Sequence, residues 1–294
     1  MKYISEFEIK NFRSFDYLKL DNLGKINVFF GKNNSGKSSI LEALLLMKYN
    51  QYKMDEISSF NNIRNDDVKY LFNNFNTSEH VEIKIKIDTI LKPHFVKIIS
   101  LENNSISIQS SQKIFTPVLV SKLLSSKVYK EIIIKRRDNN LLDFLVKIDS
   151  RVETMHLLDD KIYFGLKNIK ELIPINLMGD GINHIFNILA SIVNDYNIIL
   201  IDEIENGLHY SVHKELWKSI MKLQEEFDFQ MFITTHSIET LKALKEVLED
   251  ENNKDMRGEV KAINIVHTKK AGIKAYNYNF ESFKTMIDSE IEIR

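Results

Sequence analysis

The stretch KINVFFGKNNSGKSSILEALLLM constrains this chain more than any other. An apolar run ends in Gly31. Gly31, Gly36, Lys37 and Ser38 then satisfy G-x-x-x-x-G-K-[ST], and an apolar helical pattern follows through about Tyr49. The order strand, glycine turn, helix gives the pattern meaning, because backbone N–H groups of such a loop and the positive end of the helix converge on phosphate oxygens. The chain holds only 9 Gly in 294 residues, so the match is not a by-product of glycine richness. Residues Gly31, Asn33, Asn34, Ser35, Gly36, Lys37, Ser38 and Ser39 form the expected phosphate cradle. Lys37 would reach the β- and γ-phosphates, and the Ser38 hydroxyl would hold Mg²⁺.

The second half of the chain supplies acids in the places such a loop needs them. YNIILIDE is a buried strand that ends in Asp202-Glu203. The carboxyl ends of parallel strands are where ligands bind in open α/β sheets. Asp202 suits the Mg²⁺ shell, and Glu203 suits the orientation or deprotonation of an attacking water. FQMFITTHS is the next strand and ends at His236, ahead of Ser237, a good helix cap. A lone histidine is usually structural. At a strand end beside a terminal phosphate it can instead stabilise transferred charge.

The alternation after Pro174 predicts helices from Gly181, from about Ser211 and from about Ile238, separated by these two strands. Near-continuous apolar strands indicate a sheet buried on both faces. The fold class is therefore α/β, with a central, mostly parallel sheet. YISEFEIKNF and YLKL alternate polar and apolar residues and predict an antiparallel β-layer at the amino end. VKAINIVHT and IKAYNYN predict closing strands. The boundaries expected are a head built from 1–54 and 170–294 and an inserted α+β lobe at 55–169. That lobe holds the strand HVEIKIKID, a hairpin turning at Glu102–Asn104 and a mixed, mainly helical stretch over 121–149 that contains Lys135-Arg136-Arg137.

Net charge is −1, which argues against a whole-surface grip on nucleic acid and leaves only that local basic cluster. The chain has no Cys, so thiol chemistry and Cys-based zinc sites are excluded and a reducing cytoplasm fits. No run is apolar enough to cross a bilayer. Acidic residues of the 55–169 stretch lack metal-like spacing, so a built-in nuclease is not expected.

One segment stays ambiguous on its own: LMGDGINHIF, in which Gly179 and Gly181 flank Asp180 at the mouth of a core-like helix. It reads either as an ordinary turn or as backbone that something approaches closely.

Taken in order, GKNNSGKS, this glycine segment, ILIDEIENGLH and TTHS resemble the ABC-type ATPases of the RecF, SMC and OLD class, and IKNFRSF resembles their amino-terminal β-layer. The likeness covers about 1–50 and 172–294. It points in particular to compact AAA-family ATP-binding proteins of bacterial defence loci, which look like OLD heads without the Toprim nuclease domain. The resemblance implies a P-loop NTPase head in which Gly31–Ser38 is Walker A and Ile198–Glu203 is Walker B. Asn206–His209 would be the D-loop, His236 the switch histidine and Met178–Gly181 the signature. It places Asn11 and Arg13 near the nucleotide and implies slow, Mg²⁺-dependent hydrolysis of ATP within a homodimer.

It also implies a separately encoded effector, such as a nuclease of an antiphage system. A RecF-like repair ATPase that binds DNA is the alternative. A transporter subunit and an ATP-gated scaffold are weaker rivals. Two departures stand out: Met178 occupies the place of the usual signature serine, and no glutamine-loop residue is identifiable. Asp180, repulsive beside a triphosphate, is expected to turn away, either toward the partner's main chain or toward its own helix start as an N-terminal cap.

Overall fold

The computed structural model describes residues 3–48, 68–87, 95–102, 105–110, 117–120, 126–268 and 272–289. Its organising element is a six-stranded sheet ordered β14-β13-β3-β12-β11-β7. These strands are β3 (Ile26–Phe30), β7 (Pro117–Leu119), β11 (Ile198–Ile201), β12 (Gln230–Thr235), β13 (Val260–Thr268) and β14 (Gly272–Tyr278). All but β14 run parallel. Every residue of β3, β11 and β12 is buried, as a parallel sheet covered on both faces requires.

Their side chains divide between two cores with the period of two that a strand imposes. Ile26, Val28, Phe30, Ile199, Ile201, Met231 and Ile233 enter one. Phe29, Ile198, Leu200 and Phe232 enter the other. The first core is closed by helices α2 (Ser126–Ile134), α3 (Asp138–Ile148), α4 (Asp180–Val193), α5 (His213–Glu226), α6 (Ile238–Glu249) and α7 (Phe280–Asp288). The second holds α1 (Lys37–Leu45) between the central sheet and a five-stranded antiparallel sheet. That layer is ordered β2-β1-β4-β5-β6, from β1 (Ile4–Phe12), β2 (Phe15–Leu20), β4 (Val81–Ile87), β5 (Phe95–Glu102) and β6 (Ser105–Ser110). Ile40, Leu41 and Leu44 of α1 are at most 2% exposed, each burial worth roughly 1.5–3 kcal/mol.

Residues from 55–169 enter all three sheets. β4 pairs with β1, β7 is the edge of the central sheet, and β8 (Val152–Leu158) and β9 (Lys161–Leu166) form a small sheet with β10 (Ile173–Pro174). The β5–β6 register runs out to Glu102 opposite Ser105, and the expected turn residues 103–104 lie outside the described residues.

Two buried amides fasten the layers together. Gln230 accepts from Ile4 N and donates to the carbonyls of Ile4 and Gly24. Asn27 accepts from Gly24 N and donates to Gly24 and Met231. A buried amide with its bonds made specifies register as well as stability. The helix expected from Ser211 instead begins at His213, after a 3₁₀ turn (Tyr210–Val212) that opens with the His209 side chain accepting from Ser211 N. Ser237 caps α6 as its residue type foretold, accepting from Thr240 N at 3.1 Å.

Candidate functional site: a phosphate loop facing two strand ends

The loop after β3 takes three turns that favour glycine or asparagine: Gly31 at φ 141°, Asn34 at φ 61° and Gly36 at φ 98°. A Cβ on Gly31 would sit 2.3 Å from the carbonyl oxygen of Ile265. Lys32, Asn33 and Asn34 are exposed, whereas Ser35 is buried. Lys37 is 9% exposed, and its Nζ donates to the carbonyls of Gly31 at 2.8 Å and Lys32 at 2.9 Å. The amine therefore lies inside the curl of its own loop. Burial pushes its pKa down, and the carboxylates of Asp202, Glu203 and Glu205 oppose that shift. Ser39 follows in the first turn of α1.

The strand ends meet this loop. Ser38 Oγ donates to Asp202 Oδ1 at 2.9 Å, and Thr234 Oγ1 donates to the same oxygen at 2.6 Å. Thr234 Oγ1 in turn accepts from Glu203 N at 2.8 Å. One threonine thus holds both strand-end acids, Asp202 and Glu203. Glu203 adopts φ 51°, left-handed for a residue that pays a steric penalty there. Its side chain is half exposed. Hydroxyl and carboxylate oxygens side by side form a hard donor pair that fits Mg²⁺.

His236 follows β12 directly. Its backbone N donates to Glu205 Oε1 at 2.8 Å, and its Nδ1 lies 2.9 Å from the same oxygen. Glu203 Oε1 is 3.8 Å from that nitrogen. Asn206, exposed, continues the turn through its N–H to the Glu203 carbonyl at 2.8 Å.

The two glycines of the signature have different reasons. Gly179, at φ 89° and ψ 157°, precedes α4, and a Cβ there would meet nothing within 4 Å. Gly181 lies inside the helix, where a Cβ would come 2.5 Å from the Gly207 carbonyl oxygen of its own chain. Gly181 is thus required by packing against Gly207, and Gly179 presents open backbone. Asp180 does not cap α4: no side chain does, and the carboxylate stands exposed in the first turn, complementing the helix's positive end. Beside it Leu177 is 71% exposed.

Other expectations are redirected by partners distant in sequence. Arg13 donates to Glu42 of α1 at 3.0 Å, and both side chains are nearly buried. It also donates to the Tyr70 carbonyl. Arg13 borders an open groove of about 1080 Å³ with Ser14, Asp16, Lys19, His267 and Lys274. Asn11 is 5% exposed and donates to the carbonyls of Asn76 and Glu79, so its amide braces a loop. In the basic cluster, Lys135 donates to Asn194 and Asp195, and Arg137 to the Val193 carbonyl and Asp195. Both close the carboxyl end of α4, so they do not form a comb for phosphates. Sequence reasoning missed Thr234 and Glu205. A hydroxyl on a buried strand beside Asp202, and an acid two residues past Glu203, were the available signals.

A family model described as an AAA domain matches residues 6–277. The chain belongs to that family. It is an ABC-type ATPase of the RecF/SMC class. An ATP/GTP phosphatase of Helicobacter pylori is 25% identical across 85% of this chain and 89% of its own length. RecF, the DNA replication and repair protein of Lactococcus lactis, is 46% identical over 41 residues, 14% of this chain and 11% of its own. The Smc head domain of Pyrococcus furiosus, solved bound to the C-terminal domain of ScpA, superposes with a TM-score of 0.65 at 13% identity, covering 98% of this chain and 99% of the other. That likeness shows the fold. The AAA-domain match spans both the phosphate loop and the two strand ends that face it.

Proposed function

We propose that this ATPase is a switch that closes as a homodimer around ATP and reopens on hydrolysis. The observation that carries the proposal is the signature segment. Its backbone at Gly179 faces open space, with exposed Leu177 and Asp180 beside it, while Gly181 ties it through Gly207 to the strand-end acids. An exposed apolar side chain beside open backbone at a helix N-terminus suits capture of a second protomer's terminal phosphate. With Met178 where a serine hydroxyl would stand, backbone amides make that contact.

Within a protomer, Lys37 exchanges the Gly31 and Lys32 carbonyls for phosphate oxygens, and the loop amides bind the rest. Bound through Ser38 and Asp202, Mg²⁺ would neutralise charge on the phosphates. Glu203 orients the attacking water and takes its proton. His236 faces the terminal phosphate. The groove beside Arg13 adjoins Gly36 through Ile273 and is proposed to take the nucleoside.

The output of the switch is proposed to be a separately encoded effector, such as a nuclease of a defence locus, on the sequence resemblance alone. No helix among the described residues is long and apolar enough to cross a membrane, and the cytoplasm is the proposed location.

Glu203→Gln tests the switch. It should retain ATP, lose turnover and double the 34.5 kDa mass of the protomer by light scattering when ATP and Mg²⁺ are added. An unchanged mass up to the highest soluble concentration refutes closure around ATP. The short match to RecF favours a second reading as a DNA-bound ATPase, for which hydrolysis would rise with duplex DNA and fall steeply with salt.

A further inference from the structure

Glu205 carries a geometry that the reaction, as assigned above, does not use. Its side chain is 10% exposed. One oxygen, Oε1, accepts from the backbone N–H of His236 at 2.8 Å and lies 2.9 Å from its ring Nδ1. A carboxylate only accepts, so a contact this short favours a proton on Nδ1 and leaves the other nitrogen for the site. The same oxygen thus meets backbone and ring of a histidine whose side chain is otherwise half exposed. The carbonyl of Glu205 also accepts from Leu208 N at 2.9 Å, closing the turn whose Gly207 lies against Gly181. Two further histidines, His184 on α4 and His213 on α5, lie within electrostatic reach of the same carboxylate. Each has a buried nitrogen with no protein partner, as has Glu205 Oε2.

We propose that Glu205 is the positioning residue of His236: it holds the ring in one tautomer and one orientation toward the terminal phosphate, and joins that sensor to the turn that packs on the signature helix. The inference rests on the reading of His236 given above. A group that only orients another acts on turnover more than on ATP affinity, and its loss is not additive with loss of the group it orients.

The experiment measures kcat, KM and ATP affinity for the wild type, Glu205→Ala, Glu205→Gln, His236→Ala and the double alanine variant, with ¹⁵N NMR of histidine-labelled protein. Glu205→Ala should lower kcat roughly 10–100-fold, on the scale found for outer-shell orienting groups, with ATP affinity within about two-fold of wild type. Glu205→Gln keeps an acceptor oxygen and should recover most of that loss, which guards against misfolding of the alanine variant. The double variant should be no slower than His236→Ala, and the Nδ1–H signature of His236 should collapse to tautomeric averaging in Glu205→Ala. An impaired His236→Ala beside an unimpaired Glu205→Ala, additive losses, or an unchanged ¹⁵N signature overturns the positioning role and leaves the His236 reading standing. An unimpaired His236→Ala overturns both.

Discussion

Replacing Gly181 with alanine tests how closely the start of α4 and the turn at Gly207 are packed. In a helix the exchange alone should stabilise by about 1 kcal/mol. Here the new Cβ would lie 2.5 Å from the Gly207 oxygen and 3.4 Å from its carbonyl carbon. Side-chain carbons do not approach oxygen inside about 3.0 Å, so Gly207 must retreat by at least about 0.5 Å, at an overpacking cost of about 1–3 kcal/mol. The two terms leave the protein about 0–2 kcal/mol less stable. The retreat acts on the turn that contains Glu203 and Glu205. A misplacement of 1 Å costs about 100-fold in rate, so half of that should cost on the order of ten-fold in kcat with ATP affinity kept. Gly179→Ala separates the effects. It meets no neighbour but enters a backbone region nearly reserved for glycine, and should cost about 1–3 kcal/mol of stability. Steady-state turnover, nucleotide titration and thermal melts on both variants suffice. Wild-type kcat and melting temperature in Gly181→Ala would refute the packing argument.

Arg137→Ala should cost about 1–2 kcal/mol, through the lost bond to the Val193 carbonyl and the lost contact over the Phe227 ring, read as a melting temperature lower by roughly 2–6 °C. The salt slope of any duplex-DNA binding should stay put; a slope reduced by about one means that the residue contacts phosphate. Burial lowers the pKa of both His184 and His213 below the ordinary histidine value. The unfolded chain then binds more protons than the folded one, so their stabilising contribution is present above about pH 6.5 and is lost as pH falls below it. His213→Gln should flatten the fall in melting temperature between about pH 7 and 5.5, and an unaltered slope counts against the buried neutral ring.

What could be read from the sequence was local. The phosphate loop, the two strand ends and the alternation of strand and helix each lie within a window of ten or so residues, where period and glycine placement carry the signal. What could not be read were pairings between such windows. Glu205 meets His236 across 31 residues and Arg13 meets Glu42 across 29, with no periodicity to announce either. The same gap explains the basic cluster: three cations in a row look like a surface patch until α4 supplies the carbonyls and Asp195 that engage two of them. Gly181 was legible as a special position but for a different reason, because the neighbour that demands it lies on the D-loop.

The place of β3 in the central sheet has a consequence for biosynthesis. The strand that carries the phosphate loop leaves the ribosome long before either of its two neighbours in the sheet, β12 and β13. Some 200 residues separate it from Gln230, so at about 5–20 residues per second it waits roughly 10–40 s for a partner. For that time a strand apolar at all but Asn27 has both hydrogen-bonding edges vacant, while the antiparallel layer can already form from β1, β2 and β4. Nascent chains stalled before residue 230 should accordingly be captured by holdase chaperones and be sensitive to protease at β3, and should lose both properties once β12 and β13 have emerged.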